Sequence, residues 1–106
     1  MPIADTATLE LSDTAALAAA VESAFTNPLD SKADAYREAV NYVRALPEAS
    51  GNPRVDSHRA WFLSRMDLLE SVSLRQSERD YIHGKCAHAA LEIGFYRGDL
   101  SYDWRH

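Results

Sequence analysis

The stretch Ser73–Gly98 constrains the fold most strongly, because its apolar residues recur at helical spacing on two opposite sides. At about 100° per residue, one stripe consists of Ile82, Cys86, Ala89 and Ile93. The other stripe consists of Tyr81, Gly84, His88, Leu91 and Phe95. A helix that is apolar on two sides needs two packing partners. The stretch therefore predicts a central helix over about residues 74–96, with a second stripe that meets either another helix or a second molecule.

The ends of this helix have separate signals. Ser73 with Gln76, and Ser77 ahead of its acidic neighbours, both fit an N-cap, and the sequence does not choose between the two starts. Gly98 is suited to the left-handed residue that stops a helix, with Gly94 as an earlier candidate.

Three shorter amphipathic segments precede the long one and predict helices over about residues 13–26, 32–46 and 57–72. Pro28 and Pro47 mark the loops that separate them, and Asp30 or Ser31 and Asp56 or Ser57 are the candidate N-caps of the second and third. Alternating apolar runs with turn dipeptides are missing. We therefore expect a single all-α domain over residues 1–106, a small four-helix bundle-like fold.

The two ends of the chain lack helical patterning. Residues 1–11 are small, polar and weakly patterned, which predicts a flexible arm. In residues 99–106, Leu100, Tyr102 and Trp104 alternate with polar residues, which predicts an extended tail that lies in an apolar groove of this chain or of another protein. The fold class predicted is thus all-α with extended N- and C-terminal arms.

Charge and composition exclude several classes of function. The net charge of −5 comes entirely from residues 1–53, and residues 54–106 are balanced. An acidic chain without a basic recognition face argues against direct nucleic-acid binding, including by a helix-turn-helix pair. No apolar run approaches the ~20 residues that span a bilayer. A single cysteine and no signal-peptide pattern favour a cytoplasmic protein.

Catalytic and metal motifs are missing. Glycine-rich phosphate loops, dinucleotide fingerprints and Ser-His-Asp signatures do not occur. Asp80, His83 and Cys86 lie within two helical turns but supply too few ligands for a structural zinc site, and the stripe that contains Cys86 predicts its burial. We therefore predict a protein that is not an enzyme and uses no metal or cofactor.

Four basic or titratable residues offer a different site. Arg65 and His58 project from the apolar arc of the third helix, and Arg75 with Arg79 lies near the start of the long helix. Arginine stems that cover apolar surface and surface salt bridges explain them most simply. The alternative is a cleft in which one of these pairs binds an anionic ligand or nucleotide, or serves an enzyme.

Protein–protein interaction is the function that these observations favour. The predicted contact residues are those of the second stripe and the C-terminal cluster, namely Tyr81, His88, Leu91, Phe95, Tyr96, Arg97, Tyr102 and Trp104. Self-association into a homodimer or larger homo-oligomer through the second stripe is the leading form of this hypothesis. An adaptor, an antitoxin-like partner and a phage-encoded anti-defence inhibitor, such as an anti-CRISPR protein, stay open, since short, acidic, motif-free helical chains suit all three. An inhibitor that imitates nucleic acid would need carboxylates in rows on one face.

Overall fold

The structure is a computed structural model that describes the backbone of residues 2–100 and the side chains of residues 14–100. This part of the chain forms four α-helices and contains no strand. They are α1 (Pro2–Thr26), α2 (Lys32–Arg44), α3 (Pro53–Ser71) and α4 (Gln76–Arg97). The predicted all-α, four-helix fold is confirmed.

Helix α4 is the centre of the fold. It packs against each of the other three helices, and α1 also packs against α2. The core includes the fully buried side chains Val21, Tyr42, Val43, Val55, Phe62, Leu91 and Ile93. Burial of each large apolar side chain contributes about 1.5–3 kcal/mol. The two apolar sides of α4 are therefore both used by neighbouring helices of the same chain.

The first helix begins much earlier than predicted. The structure places Pro2–Leu11 in α1, where we expected a flexible arm over residues 1–11. Proline is favourable at the first position of a helix, and no further proline or glycine interrupts the alanine-rich segment up to Thr26. The prediction of an arm followed from the weak amphipathic pattern of this stretch, although its residues have good helix propensity. The predicted tail over residues 99–106 lies outside the described residues from residue 101 onwards.

Helix α2 begins with a capping box at Ser31, one of its two predicted caps. The Ser31 hydroxyl accepts a hydrogen bond from the Asp34 N–H (3.1 Å), and the Asp34 carboxylate accepts one from the Ser31 N–H (3.0 Å). The hydrogen bond from the Ser31 backbone, followed by that from Arg37, lowers the pKa of Asp34.

Helix α3 begins at Pro53 rather than at the predicted residue 57. Asn52 is its N-cap, and its side-chain oxygen accepts a hydrogen bond from the Arg54 N–H at 2.9 Å. Asp56 lies inside the first turn, and its carboxylate accepts hydrogen bonds from the N–H (3.0 Å) and hydroxyl (2.9 Å) of Ser50. The Asn-Pro pair supplies both a cap and a preset φ, which explains the earlier start.

Helix α4 starts at neither of the two predicted serines. Arg75 occupies the N-cap position, and its N–H donates to the Glu78 carboxylate at 2.9 Å. The C-terminus agrees with the prediction, because Gly98 adopts φ 85° and its N–H donates to the Phe95 carbonyl.

Candidate protein-binding surface

The predicted second stripe of α4 does not form one continuous surface. Tyr81 is 66% exposed and His88 is exposed, but Leu91 is 0% exposed and Phe95 is half-buried. Leu91 belongs to the core because α1 and α2 pack against the second side of α4. Leu91 is therefore covered by the chain itself, and the exposed residues of the stripe are Tyr81 and His88. Contact of this stripe with a partner stays a prediction.

The C-terminal cluster is also engaged within the chain. The ring of Tyr96 lies 5.5 Å from that of Phe95 and 6.0 Å from that of His58, and the Arg54 guanidinium lies 5.3 Å from its centre. Tyr102 and Trp104, predicted as contact residues, lie outside the described residues. Tyr96 is thus held by α3 instead of being presented as a free aromatic anchor.

Arg97 takes part in a largely buried network around Asp99. The Asp99 carboxylate accepts hydrogen bonds from Arg97 Nε (2.9 Å), the Tyr42 hydroxyl (2.5 Å) and the Thr14 hydroxyl (3.2 Å). Burial and the hydrogen bond to Asp99 raise the pKa of Tyr42 well above its usual value. Burial opposes the charge of Arg97, but the carboxylate of Asp99 outweighs it and raises the pKa of that guanidinium. The network ties α1 and α2 to the end of α4, so Arg97 has a structural role.

A cavity of about 340 Å³ lies between α3 and α4. Its lining consists of Trp61, Arg65, Tyr81, Ile82 and Lys85. The Arg65 guanidinium lies 5.0 Å from the centre of the Trp61 ring, and Lys85 Nζ lies 5.5 Å from the centre of the Tyr81 ring. Each cation is therefore held over an aromatic face, a favourable arrangement worth about 0.5–1 kcal/mol at exposed sites.

No ion pair joins Arg65 or Lys85 to a carboxylate of the described residues. Within residues 14–100, the one hydrogen bond of the Arg65 side chain is a long one, 3.5 Å, to the Ser64 hydroxyl. The described lining residues of this cavity thus include two cations and no acidic residue, in a chain whose net charge is −5.

A second, more apolar cavity of about 470 Å³ adjoins the first. It shares Tyr81 and Ile82 with the first cavity, and its other lining residues are Leu68, Leu74, Ser77 and Glu78. We call the two cavities together the Tyr81 groove. Tyr81 forms the wall that they share, and it is the one exposed residue among the described phenylalanines, tyrosines and tryptophans.

Among the described residues, no cavity is lined by both members of a predicted anion-binding pair, Arg65 with His58 or Arg75 with Arg79. His58 lines a separate cavity of about 320 Å³ that borders Trp61 and Lys85, and its Nδ1 lies 2.7 Å from the Arg54 carbonyl. Arg75 is exposed and its Nε lies 3.5 Å from Glu78. Neither Arg75 nor Arg79 lines these cavities. Arg65 alone of the four contributes to the Tyr81 groove.

Cys86 and His83 have the surroundings of structural residues. Cys86 is 0% exposed, and burial raises the pKa of its thiol to about 12, so it is protonated at neutral pH. The His83 ring is tilted by 35° against that of Tyr36 with ring centres 4.6 Å apart, and burial lowers the pKa of His83. Over residues 14–100, no three His, Cys, Asp or Glu side chains are grouped to hold a metal ion.

Sequence reasoning did not group Trp61, Ile82 and Lys85 as members of one site. Trp61–Arg65 on α3 and Tyr81–Lys85 on α4 are both aromatic–cation pairs at a spacing of four residues. Residues at this spacing are neighbours on a helix surface, so each pair is readable locally. The signal available was the repetition of the same pair on two helices.

No protein-family model, curated protein or solved structure matches this chain. None of the helices in the described range combines the length and the apolarity needed to cross a bilayer. The Tyr81 groove is therefore the basis for inferring a function.

Proposed function

We propose that this chain is not an enzyme and acts by binding another protein through the Tyr81 groove. The observation that carries the proposal is Tyr81 itself, an aromatic side chain that is 66% exposed in the ordered first half of the central helix and walls both cavities. A tyrosine in such a place offers a large, stiff apolar area at a low cost in conformational entropy.

The composition of the groove supports the same proposal. Trp, Tyr and Arg are the residues most enriched among interface hot spots, and Trp61, Arg65 and Tyr81 share one cavity. Leu68, Leu74 and Ile82 are half-buried and extend the apolar floor beside them. An anchor from a partner would complete the burial of these side chains.

The predicted homo-oligomer loses its main argument, because Leu91 is covered by the chain's own helices. We therefore propose that the partner is a different protein. The adaptor, antitoxin-like and phage-inhibitor forms all use such a groove equally well. The nucleic-acid-mimic form would need a row of free carboxylates, and Asp34, Asp56 and Asp99 are instead engaged in separate contacts within the chain.

The test compares proteins captured from a lysate of the source organism by immobilised wild-type chain, Tyr81→Ala and Leu29→Ala. Leu29 is the matched control, because it is 91% exposed but lines none of the cavities around Tyr81. We expect one partner to be retained by the wild type and Leu29→Ala, and lost with Tyr81→Ala. Equal capture by all three chains would contradict the proposal, and a dimer in light scattering that Tyr81→Ala dissociates would identify a second copy as the occupant.

The alternative of a small anionic ligand is favoured by one observation, the pair of cations without a carboxylate partner in the 340 Å³ cavity. A thermal-shift screen with nucleotides and organic acids tests it. A ligand present at 100 times its Kd adds about 2.7 kcal/mol of stability. A shift that Lys85→Gln abolishes supports the ligand, whereas no shift with any compound favours a protein partner.

A further inference from the structure

We infer that the partner inserts an acidic side chain and a neighbouring large apolar side chain into the Tyr81 groove. The carboxylate binds Arg65 and Lys85 in the first cavity, and the apolar side chain fills the second cavity. This inference rests on the proposed protein-binding function and names the chemistry of the segment that is bound.

The charge of the first cavity selects the acidic residue. Arg65 and Lys85 contribute two positive charges to its lining, and none of the lining residues that the structure describes carries a carboxylate. The Arg65 guanidinium on α3 and the Lys85 ammonium on α4 both line this cavity and offer a carboxylate two charge-assisted donors, which are stronger than neutral hydrogen bonds. The rest of the molecule carries the net negative charge, so the acidic segment is attracted to this groove and repelled elsewhere.

The rings behind the cations make the site more selective than a pair of free surface bases. Trp61 supports Arg65 and Tyr81 supports Lys85, so both side chains already have preferred positions before the partner arrives. Side chains that are placed in advance lose less conformational entropy on binding.

The second cavity selects the apolar residue. It is larger, about 470 Å³, and Leu68, Leu74 and Ile82 are its aliphatic lining residues. Glu78 also lines it, and the Arg75 backbone N–H and side chain already engage that carboxylate. An acidic side chain is therefore disfavoured here and an apolar one favoured. Because the two cavities share Tyr81 and Ile82, the two groups of the partner must be close in its sequence, within about one helical turn or two to three extended residues.

The experiment selects binders from a displayed library of random linear peptides against the full-length chain. We expect the enriched peptides to contain Asp or Glu within three residues of Leu, Ile, Phe, Met or Trp. The best peptide is then synthesised with a fluorophore, and its Kd is measured by anisotropy together with that of its Asp→Asn or Glu→Gln form.

The decisive variant is the double change Arg65→Gln, Lys85→Gln, which removes both charges and leaves a shorter, neutral polar side chain at each position. On the wild type, loss of the peptide's carboxylate is expected to weaken binding about tenfold, the effect of one charged hydrogen bond. On the double variant the same loss is expected to change Kd less than about twofold, because the partner charges are gone. The matched control is Arg37→Gln, Arg44→Gln, which removes two positive charges from α2 and is expected to keep the tenfold effect.

Each result decides between the claims. Peptides that need Tyr81 but show no acidic preference, or whose carboxylate effect persists in the double variant, overturn this inference and leave the proposed function standing. If no peptide depends on Tyr81 and the lysate capture is also unchanged by Tyr81→Ala, both the inference and the proposed function are wrong.

A competition experiment tests for a phosphate ligand. Displacement of the peptide by ATP or by a single-stranded oligonucleotide at lower concentration than by unlabelled peptide also overturns the inference, in favour of a phosphate ligand. If circular dichroism shows that the double variant is unfolded, the single change Lys85→Gln at an exposed residue allows the same comparison. On that variant, removal of the peptide's carboxylate is expected to raise Kd about threefold instead of tenfold.

Discussion

The two halves of α4 carry the same two-sided apolar pattern but have opposite surroundings. Every buried residue of the helix lies between Cys86 and Gly94, whereas none of residues 76–85 is buried. The C-terminal half approaches α1 so closely that a Cβ on Gly94 would lie 3.5 Å from the Ala18 Cβ. The N-terminal half presents Tyr81 and Lys85 to solvent. The comparison teaches that helix periodicity defines which sides are apolar, while the neighbours decide which of them is covered.

The largest expected difference between the halves is in core substitution. Leu91→Ala removes a side chain with 0% exposure, so we expect the free energy of unfolding to fall by about 2–5 kcal/mol. Tyr81 lies on the same stripe, but we expect Tyr81→Ala to change the free energy of unfolding by no more than about 0.5 kcal/mol, because the side chain is exposed. Urea denaturation of both variants measures the contrast, and similar losses for the two would break the distinction between the halves.

This contrast also shows where sequence reasoning stops. The cap at Ser31 and the stop at Gly98 depend on residues within one turn, and both were predicted. Leu91 and Tyr81 look alike in the sequence, because a helical stripe contains no information about how far the neighbouring helices extend along it. The start of α1 at Pro2 was missed for a related reason, since the segment has helix propensity but no clear amphipathic face.

The candidate site shows the same division between local and long-range information. Arg65 was predicted from its position in an apolar arc, and Tyr81 from its stripe. Their meeting across α3 and α4 in one cavity, with Lys85, depends on the register between the two helices. That register is a tertiary property that no single segment specifies.

The next effect concerns the network that fixes the C-terminal half. Tyr42→Phe deletes the hydroxyl that donates to Asp99, and a hydrogen bond to a charged group is worth about 1.5–3 kcal/mol. Tyr36→Phe is the matched control, because no hydrogen bond of its hydroxyl is found among the described residues and Tyr36 is half-buried. We expect a loss in that range for Tyr42→Phe and a change below about 0.5 kcal/mol for Tyr36→Phe, measured by urea denaturation at pH 7. Equal losses would show that the network does not anchor this end of α4.

The buried thiol of the C-terminal half predicts an alkaline pH dependence. Burial raises the pKa of Cys86 from 9.0 to about 12, so above pH 9 the unfolded chain loses this proton and the folded chain keeps it. Stability from this group is complete below pH 9 and decreases as the pH rises towards 12. Between pH 8 and pH 10 we expect the wild type to lose about 1 kcal/mol more than Cys86→Ala, each measured against its own value at pH 8. The buried position is contradicted if the two chains lose stability in parallel.

The smallest effect distinguishes the two interior glycines of α4. A Cβ on Gly84 would meet only the flexible Lys32 side chain, at 3.4 Å or more, so Gly84→Ala should gain helix propensity and stabilise the protein by up to about 1 kcal/mol. A Cβ on Gly94 would meet Leu100 at 3.2 Å and Ala18 at 3.5 Å. Both neighbours are buried core residues that cannot easily move, so contact strain should cancel the gain in helix propensity at this position. We therefore expect the Gly94→Ala protein to be less stable than the Gly84→Ala protein. Thermal unfolding of the two variants gives the order directly. If Gly94→Ala is stabilised as much as Gly84→Ala, the C-terminal half of α4 has room to spare and its close packing against α1 does not distinguish it from the open half.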